Sequence, residues 1–261
     1  MLKTVSNGQS IHQYIPPHLR RMFYNNPAFV HASQNGKDPY GFSTDGLVLY
    51  LPLWALQDSA FKSIDPYRHA CTVTNATWGS QGRTMAGTGR ITVPDHNSLD
   101  FGATTDFSYG VWAKRTSAGD TIESIIFKGD SVNPGTWFAI RSLNDGGSGV
   151  ATTNIDDNVT LKSVTGTTDL RDSMWHLLFT TCDRDGNMTL YVDAVSEGTP
   201  IAISAVGNIT DTEDLYLGAF RSDDVVTALF NGTIGESYVY NRVLSLEEIT
   251  QIYNLTKFRY Q

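Results

Sequence analysis

The sequence predicts an all-β fold, an antiparallel two-sheet sandwich, preceded by an extended N-terminal arm and closed by one short helix. Three observations predict it. Short runs rich in Val, Ile, Thr, Tyr and Phe recur from residue 46 to about 240, separated by Gly, Asp and Asn turn clusters. Several runs alternate with a period of two, as in Phe107, Tyr109, Val111 and Ala113 against Ser108, Gly110, Trp112 and Lys114. A single helical pattern follows the last run. Many short strands with regular turn signals read as a sandwich. A chain of 261 residues, 40% hydrophobic and 18% charged, is ordinary for one such domain.

The elements follow in order. Residues 1–45 form the arm. It carries Lys3, Arg20, Arg21 and Lys37 against Asp38 and Asp45, and three histidines, His12, His18 and His31, in a chain of net charge −8. Pro16-Pro17 starts one short helix over HLRRMFYNN, and Asn25-Asn26-Pro27 ends it. The arm is rich in apolar residues (Ile11, Ile15, Leu19, Met22 and Phe23 among them), more than a free tail carries, so it is expected to dock. LVLYLPLW (47–54) is a strand whose Pro52 confines it to an edge or an end. Residues 63–78 give a turn and a Thr/Val strand, 89–101 a strand and a turn, and 105–115, 122–130 and 136–143 three strands. Asn144-Asp145-Gly146 opens a turn cluster, and 149–165 reads as a hairpin through Asp156-Asp157. Ser245 and Glu248 form a capping box ahead of the stripe Ile249, Ile252 and Tyr253.

Composition excludes several functions. No apolar run approaches the roughly 20 residues of a membrane helix, so no membrane insertion is expected. The opening residues lack the apolar stretch of a signal peptide. The acidic balance excludes nucleic acid as a partner of the sandwich. Cys71 and Cys182 read as two small buried thiols, with one disulfide as the alternative. The Asn-x-Thr sites at Asn75, Asn158, Asn187, Asn208, Asn231 and Asn254 read as turn-to-strand junctions rather than glycan acceptors.

From Asp172 to Tyr253 the chain runs through Trp175-His176, an Asp185-Gly186 turn, Leu190–Asp193, the Leu-Tyr-Leu-Gly of 215–218 and Tyr240-Asn241-Arg242 before the helix. Upstream stand Ser63-Ile64-Asp65 with His69, Trp78, Ser98–Phe101 and Asp106–Ser108 with Trp112. This order resembles laminin-G-like domains of the concanavalin A-like jelly-roll type, over roughly residues 46–255. The resemblance implies a jelly roll over 46–261 and leaves function open, because this fold serves lectins, adhesion modules, virion parts and glycosidases. Phage and other virus genomes often encode chains that look like this, opening at a Leu-Tyr-Leu-Pro strand as in Leu49–Pro52. The first expectation is therefore a non-enzymatic structural, capsid-decoration or attachment protein at the surface of a virion. Residues 1–45 would dock on other chains of the particle, capsid or tail, and the protein would form a homo-oligomer. A carbohydrate-binding lectin domain is the alternative, and a glycoside hydrolase of the same fold the second alternative.

Two departures from the family pattern stand out. The Tyr-Val-Asp-Gly turn is Tyr191-Val192-Asp193-Ala194 here, and Ala enters positive φ less readily than Gly, so a turn of another type is expected. An Ile-Asp-Glu-Val strand is Ile234-Gly235-Glu236-Ser237, so an Asp that often serves a calcium site in relatives is Gly235. Asp65 and Glu236 remain as possible oxygen ligands of a structural Ca²⁺, which needs 6–8 oxygens. Otherwise Asp65 caps a turn and Glu236 faces solvent. No other cofactor is implied.

Glycosidases of this fold carry Glu-x-Asp-x-(x)-Glu on one strand, which sets the carboxylates on one face. That run is absent, and Asp156-Asp157, Glu213-Asp214, Asp223-Asp224 and Glu247-Glu248 are adjacent pairs suited to turns or a helix start. No catalytic residue is assigned. For a sugar, Asn144-Asp145-Gly146 and Arg221-Ser222-Asp223-Asp224 are polar loops near aromatic strands, and Trp137 or Phe220 could flank a site, although core packing is the expected role of both.

Overall fold

The computed structural model describes residues 41–261 except 56–57, 117–121, 133–134, 144–148, 224 and 228–229. The arm up to residue 40, with its expected helix, and Asn144-Asp145-Gly146 lie outside the described residues. Asp45–Gln261 is one compact unit.

Its strands, in chain order, are β1 (Leu47–Pro52), β2 (Ala60–Lys62), β3 (Ala70–Thr74), β4 (Thr77–Gly79), β5 (Gly82–Thr84) and β6 (Arg90–Val93). There follow β7 (Phe107–Arg115), β8 (Glu123–Gly129), β9 (Trp137–Ser142), β10 (Val150–Asp156) and β11 (Leu161–Asp169). Then come β12 (His176–Cys182), β13 (Asn187–Val192), β14 (Val195–Ala202), β15 (Leu215–Leu217), β16 (Phe220–Ser222), β17 (Val225–Thr227) and β18 (Gly232–Tyr240). One helix, α1 (Leu246–Thr256), ends the fold.

β16 and β17 pair in a small sheet of their own, and the other sixteen strands form two antiparallel eight-stranded sheets. One runs β14-β13-β12-β7-β18-β5-β4, with β1 also on β18; the other runs β11-β10-β9-β8-β15-β6-β3-β2. β1 pairs only with β18 and ends at Pro52, where a missing N–H costs no ladder bond. Alternation sends Phe107, Tyr109 and Val111 of β7, Leu178 of β12 and Val239 of β18 against Phe138 and Ile140 of β9 and Ile91 and Val93 of β6. Burying one such side chain stabilises by about 1.5–3 kcal/mol. Inside this apolar layer the Tyr109 hydroxyl donates to the Ala139 carbonyl (3.1 Å) and bonds Thr153 Oγ1 (2.7 Å), tying one sheet to the other.

β7 is buried on both faces, so its alternating pattern does not mark a solvent side. Trp112 faces away from the core and packs under the chain end, 4.4 Å from the Tyr260 ring and 5.7 Å from that of Tyr253. Its Nε1–H donates to Thr256 Oγ1 at 2.8 Å. The capping box of α1 is present as read: Ser245 Oγ accepts the Glu248 N–H, and Glu248 Oε2 accepts the Ser245 N–H. The 149–165 hairpin also stands, with β10 on β11.

The Asp193-Ala194 turn corrects the expectation. Val192 pairs with Val195, leaving a two-residue loop with φ of 52° at Asp193 and 65° at Ala194. Positive φ at both positions is the type I′ geometry that suits strand twist. Ala194 thus occupies a left-handed site that a glycine would fill without strain. Asp193 holds the turn, accepting the Leu177 N–H on Oδ1 at 2.9 Å and facing His176 Nδ1 with Oδ2 at 2.8 Å.

Both cysteines are free and buried, and burial pushes the Cys71 thiol up to about 12. Among the sequons, Asn75 and Asn158 sit at positive φ, Asn187 opens β13 and Asn231 precedes β18, as expected, but Asn208 lies in the loop between β14 and β15 and Asn254 inside α1, so these two are not turn-to-strand junctions. No helix among the described residues is long and apolar enough to cross a membrane.

Candidate functional site

The Ser63–His69 connection between β2 and β3 is built around Asp65. Asp65 Oδ1 accepts the N–H of Tyr67 (2.9 Å) and of Arg68 (3.1 Å), and Oδ2 accepts the Tyr50 N–H of β1 (3.1 Å). Further bonds clamp the loop: Ile64 N–H to the Tyr50 carbonyl and Ser63 N–H to the His69 carbonyl, both 3.0 Å. Arg68 turns the chain at φ 57°. His69 Nε2 lies 2.9 Å from the Val48 carbonyl and 3.2 Å from Ser98 Oγ. Burial lowers the His69 pKa against the pull of Asp65, which favours the neutral ring.

This turn meets the β6 exit at an aromatic corner. Tyr67 is 47% exposed. Its ring stacks on His69 (5.8 Å between centroids) and meets His96 edge-on (5.6 Å), and His69 and His96 lie 5.0 Å apart. His96 Nδ1 accepts the Ser98 N–H at 3.1 Å, so in the neutral ring Nε2 carries the proton.

Asp65 therefore caps a turn. Glu236 does not face solvent: it is fully buried, and this corrects the second half of that reading. Its oxygens accept Trp54 Nε1–H (2.5 Å) and the Tyr50 and Tyr238 hydroxyls, and pair with Arg259. Its N–H donates to the Tyr260 hydroxyl at 2.9 Å. Gly235 has a structural reason, since a Cβ there would lie 2.6 Å from the Tyr260 ring. Asp65 approaches the backbone of Tyr50 and Glu236 its hydroxyl, so the two carboxylates are spent on separate protein donors.

The three-carboxylate group among the described residues is a different one, Asp95, Asp100 and Asp211. Lys128 of β8 fills it: Nζ lies 2.6 Å from Asp211, 3.0 Å from Asp95, 3.6 Å from Asp100 and 2.6 Å from the Glu213 carbonyl. Burial disfavours the ammonium, yet Asp211 and Asp95 outweigh it and hold its pKa above the usual value. Burial raises the Asp100 carboxyl despite Lys128.

Trp137 and Phe220 do come together, on the face of β8 and β9 opposite the main core. Phe127 lies 5.5 Å from Trp137 and 5.7 Å from Phe220. The Arg141 guanidinium covers Trp137 at 4.7 Å and donates to Asn154 Oδ1. Trp137 is 5% exposed, so it packs, as expected, and offers no bare ring face. Arg221 is committed to Asp130 (3.2 Å) and Glu213 (2.7 Å), and the Asp223 N–H to Asp130. Asp224 lies outside the described residues.

The residues that sequence reasoning missed are Tyr67, His96, Lys128 and Arg259. A signal existed for Tyr67, because Asp65-Pro66 marks a turn and an aromatic displayed on a turn is solvent-facing. Nothing in the β8 pattern distinguishes Lys128 as buried.

None of the curated proteins matches the sequence. Among solved structures, the chain is similar to the binding domain of Paraclostridial mosquitocidal protein 1, at TM-score 0.61 and 15% identity over 81% of this chain and 52% of that one. It is similar to the botulinum neurotoxin serotype D ligand-binding domain in complex with N-acetylneuraminic acid, at 0.62 and 15% over 81% and 51%. It also resembles Trypanosoma rangeli sialidase in complex with sialic acid, at 0.60 and 16% over 82% and 33%. The chain thus spans about half the length of the toxin domains and a third of the sialidase, and these likenesses show the fold. The family described as the concanavalin A-like lectin/glucanases superfamily matches residues 85–250, more than half of the chain, and the protein belongs to that family.

Proposed function

We propose that this chain is a non-enzymatic recognition module that binds carbohydrate. The observation that carries the reading is the Tyr67 corner, an exposed ring beside polar groups on a clamped turn of a lectin-type sandwich. The toxin binding domains and the sialic-acid complexes among its structural relatives support a glycan as the ligand class. The commitment of three buried carboxylates to protein partners supports binding over hydrolysis. Glu236 pairs with Arg259, Glu123 pairs with Arg115 at 3.1 Å, and Asp65 accepts backbone N–H groups. A general acid needs a carboxyl free to give up its proton near the scissile oxygen. The full chain on a glycan array should give saturable binding, and a screen on the same glycans should show no hydrolysis. Turnover would transfer the protein to the glycosidase reading.

A second reading concerns the setting. The apolar residues of the arm favour a tether to other chains, with a virion surface as the location and copies of this chain among its neighbours. Deleting residues 1–45 should leave a folded monomer that no longer joins its assembly. Normal assembly by the truncated chain would end this reading.

A further inference from the structure

We infer that the corner formed by Tyr67, His69 and His96 is the sugar subsite of this domain, and that it takes a pyranose ring by its apolar C–H face. The inference rests on the carbohydrate reading above and names where and how it is done.

The geometry is that of a preformed platform. The Tyr67 ring is stacked on His69 and met edge-on by His96, and the residue remains 47% exposed. Aromatic rings in this state accept the C–H face of a sugar, whose hydroxyls point outward to polar neighbours. Those neighbours are present. His96 is exposed, and because its Nδ1 accepts the Ser98 N–H, the neutral ring has Nε2–H as its donor. Asn97, next in the chain, is exposed and offers both a donor and an acceptor. The Tyr67 hydroxyl has no hydrogen-bond partner among the described residues.

The platform is held still from below. Asp65 holds the Tyr67 and Arg68 N–H groups, His69 is held between the Val48 carbonyl and Ser98 Oγ, and Ser98 binds His96 in turn at 3.0 Å. The two loops are therefore bonded to each other. A ligand that meets an ordered ring loses less binding energy to side-chain ordering. His69 serves as the floor and touches no ligand, a positioning residue. Asp65, Tyr67 and His69 thus place the cap, the displayed ring and the floor on one short loop.

The experiment uses the full chain on an array of neutral and sialylated glycans, with the best ligand of each class titrated against variants. Wild type is expected to bind saturably, and the array shows which class supplies the pyranose. Tyr67→Ala should weaken binding at least tenfold with the melting temperature unchanged. Tyr67→Phe should keep most of the affinity and His96→Ala should lose several-fold. Trp78→Ala removes another exposed aromatic, 39% exposed and outside the Tyr67 ring contacts, and should bind like wild type. Saturable wild-type binding that Tyr67→Ala leaves within twofold would overturn the subsite while sparing the carbohydrate reading. No wild-type binding to any glycan would overturn the reading itself.

Discussion

Replacing Lys128 by Met removes the charge that three carboxylates were folded around. The ammonium is 2% exposed, and its partners Asp95, Asp100 and Asp211 are 28, 15 and 15% exposed. Met keeps most of the apolar stem volume, so the loss is electrostatic. Breaking a buried ion pair by deleting one partner costs about 3–5 kcal/mol, because the other charge stays behind without compensation. Here the partly exposed carboxylates retain some water, so the low end, about 3 kcal/mol, applies. At about 2–4 °C per kcal/mol for a domain of this size, the melting temperature should fall by roughly 6–12 °C. Urea unfolding should show a lower midpoint at unchanged slope. The three carboxylate oxygens lie within 4.8 Å of one another, so the variant should regain stability with millimolar Ca²⁺. Wild type should gain nothing from Ca²⁺ at this place and lose nothing to a chelator, because Lys128 already supplies the cation and Asp65 and Glu236 are committed to protein donors. A loss under 1 kcal/mol, or an equal response of wild type and variant to Ca²⁺, would refute the reasoning.

Two further outcomes follow from the β12–β14 corner. Ala194→Gly relieves a left-handed alanine, worth about 1–2 kcal/mol, against about 0.5–1 kcal/mol of added chain entropy in the unfolded state. A net gain of about 0.5–1 kcal/mol should appear as a higher urea midpoint, and an unchanged or lower midpoint would contradict the strain at φ 65°. His176 concerns pH. Burial lowers its pKa, but Asp193 and then Asp172 outweigh burial and raise it above 6.5. A raised histidine stabilises fully below its unfolded value of 6.5 and loses that contribution as pH climbs through the folded value. The stability difference between wild type and His176→Gln should therefore be larger at pH 5.5 than at pH 8.5. An equal or inverted difference would exclude the ion pair.

The β-type runs, Pro52 at a strand end, the 149–165 hairpin and the Ser245–Glu248 capping box were legible because each depends on residues a few positions apart. The fate of Glu236 was not. Its burial depends on Arg259 and Tyr260, which reach it only after β18 has entered the sheet and α1 has folded back over Trp112. The same return of the chain buries the second face of β7, so a period-two pattern could not tell one covered face from two. β14 was hidden for the opposite reason. It is an edge strand with little burial, a glycine at φ 69° and Pro200, and nothing in its composition alternates. The Tyr67 corner was half legible: Asp65 and His69 stood out by spacing, but His96 joins them only through the pairing of β3 with β6.

The corner also separates stability from recognition, and Asp65 is where the two meet. Tyr67 and His96 are exposed and contribute little to folding, whereas Asp65 is buried and accepts three backbone N–H groups. Asp65→Ala leaves the Tyr50 N–H buried in β1 without its acceptor. An orphaned buried donor costs about 1–3 kcal/mol, and the charge-assisted character of the lost bonds favours the upper end. Tyr67 and Arg68 regain water, so their share is small. Losing these bonds frees the tip of the loop, while the Ile64–Tyr50 and Ser63–His69 bonds still hold its base. The fold should survive with a urea midpoint lowered by an amount equivalent to about 2–3 kcal/mol. Glycan affinity should fall even under conditions where the variant is fully folded, because Tyr67 must then be ordered at the moment of binding. Asp65→Asn keeps one acceptor oxygen and should fall between. If Asp65→Ala loses stability yet binds sugar as tightly as wild type, the turn serves the sandwich alone, and the exposed ring above it is not a site the clamp was built to hold.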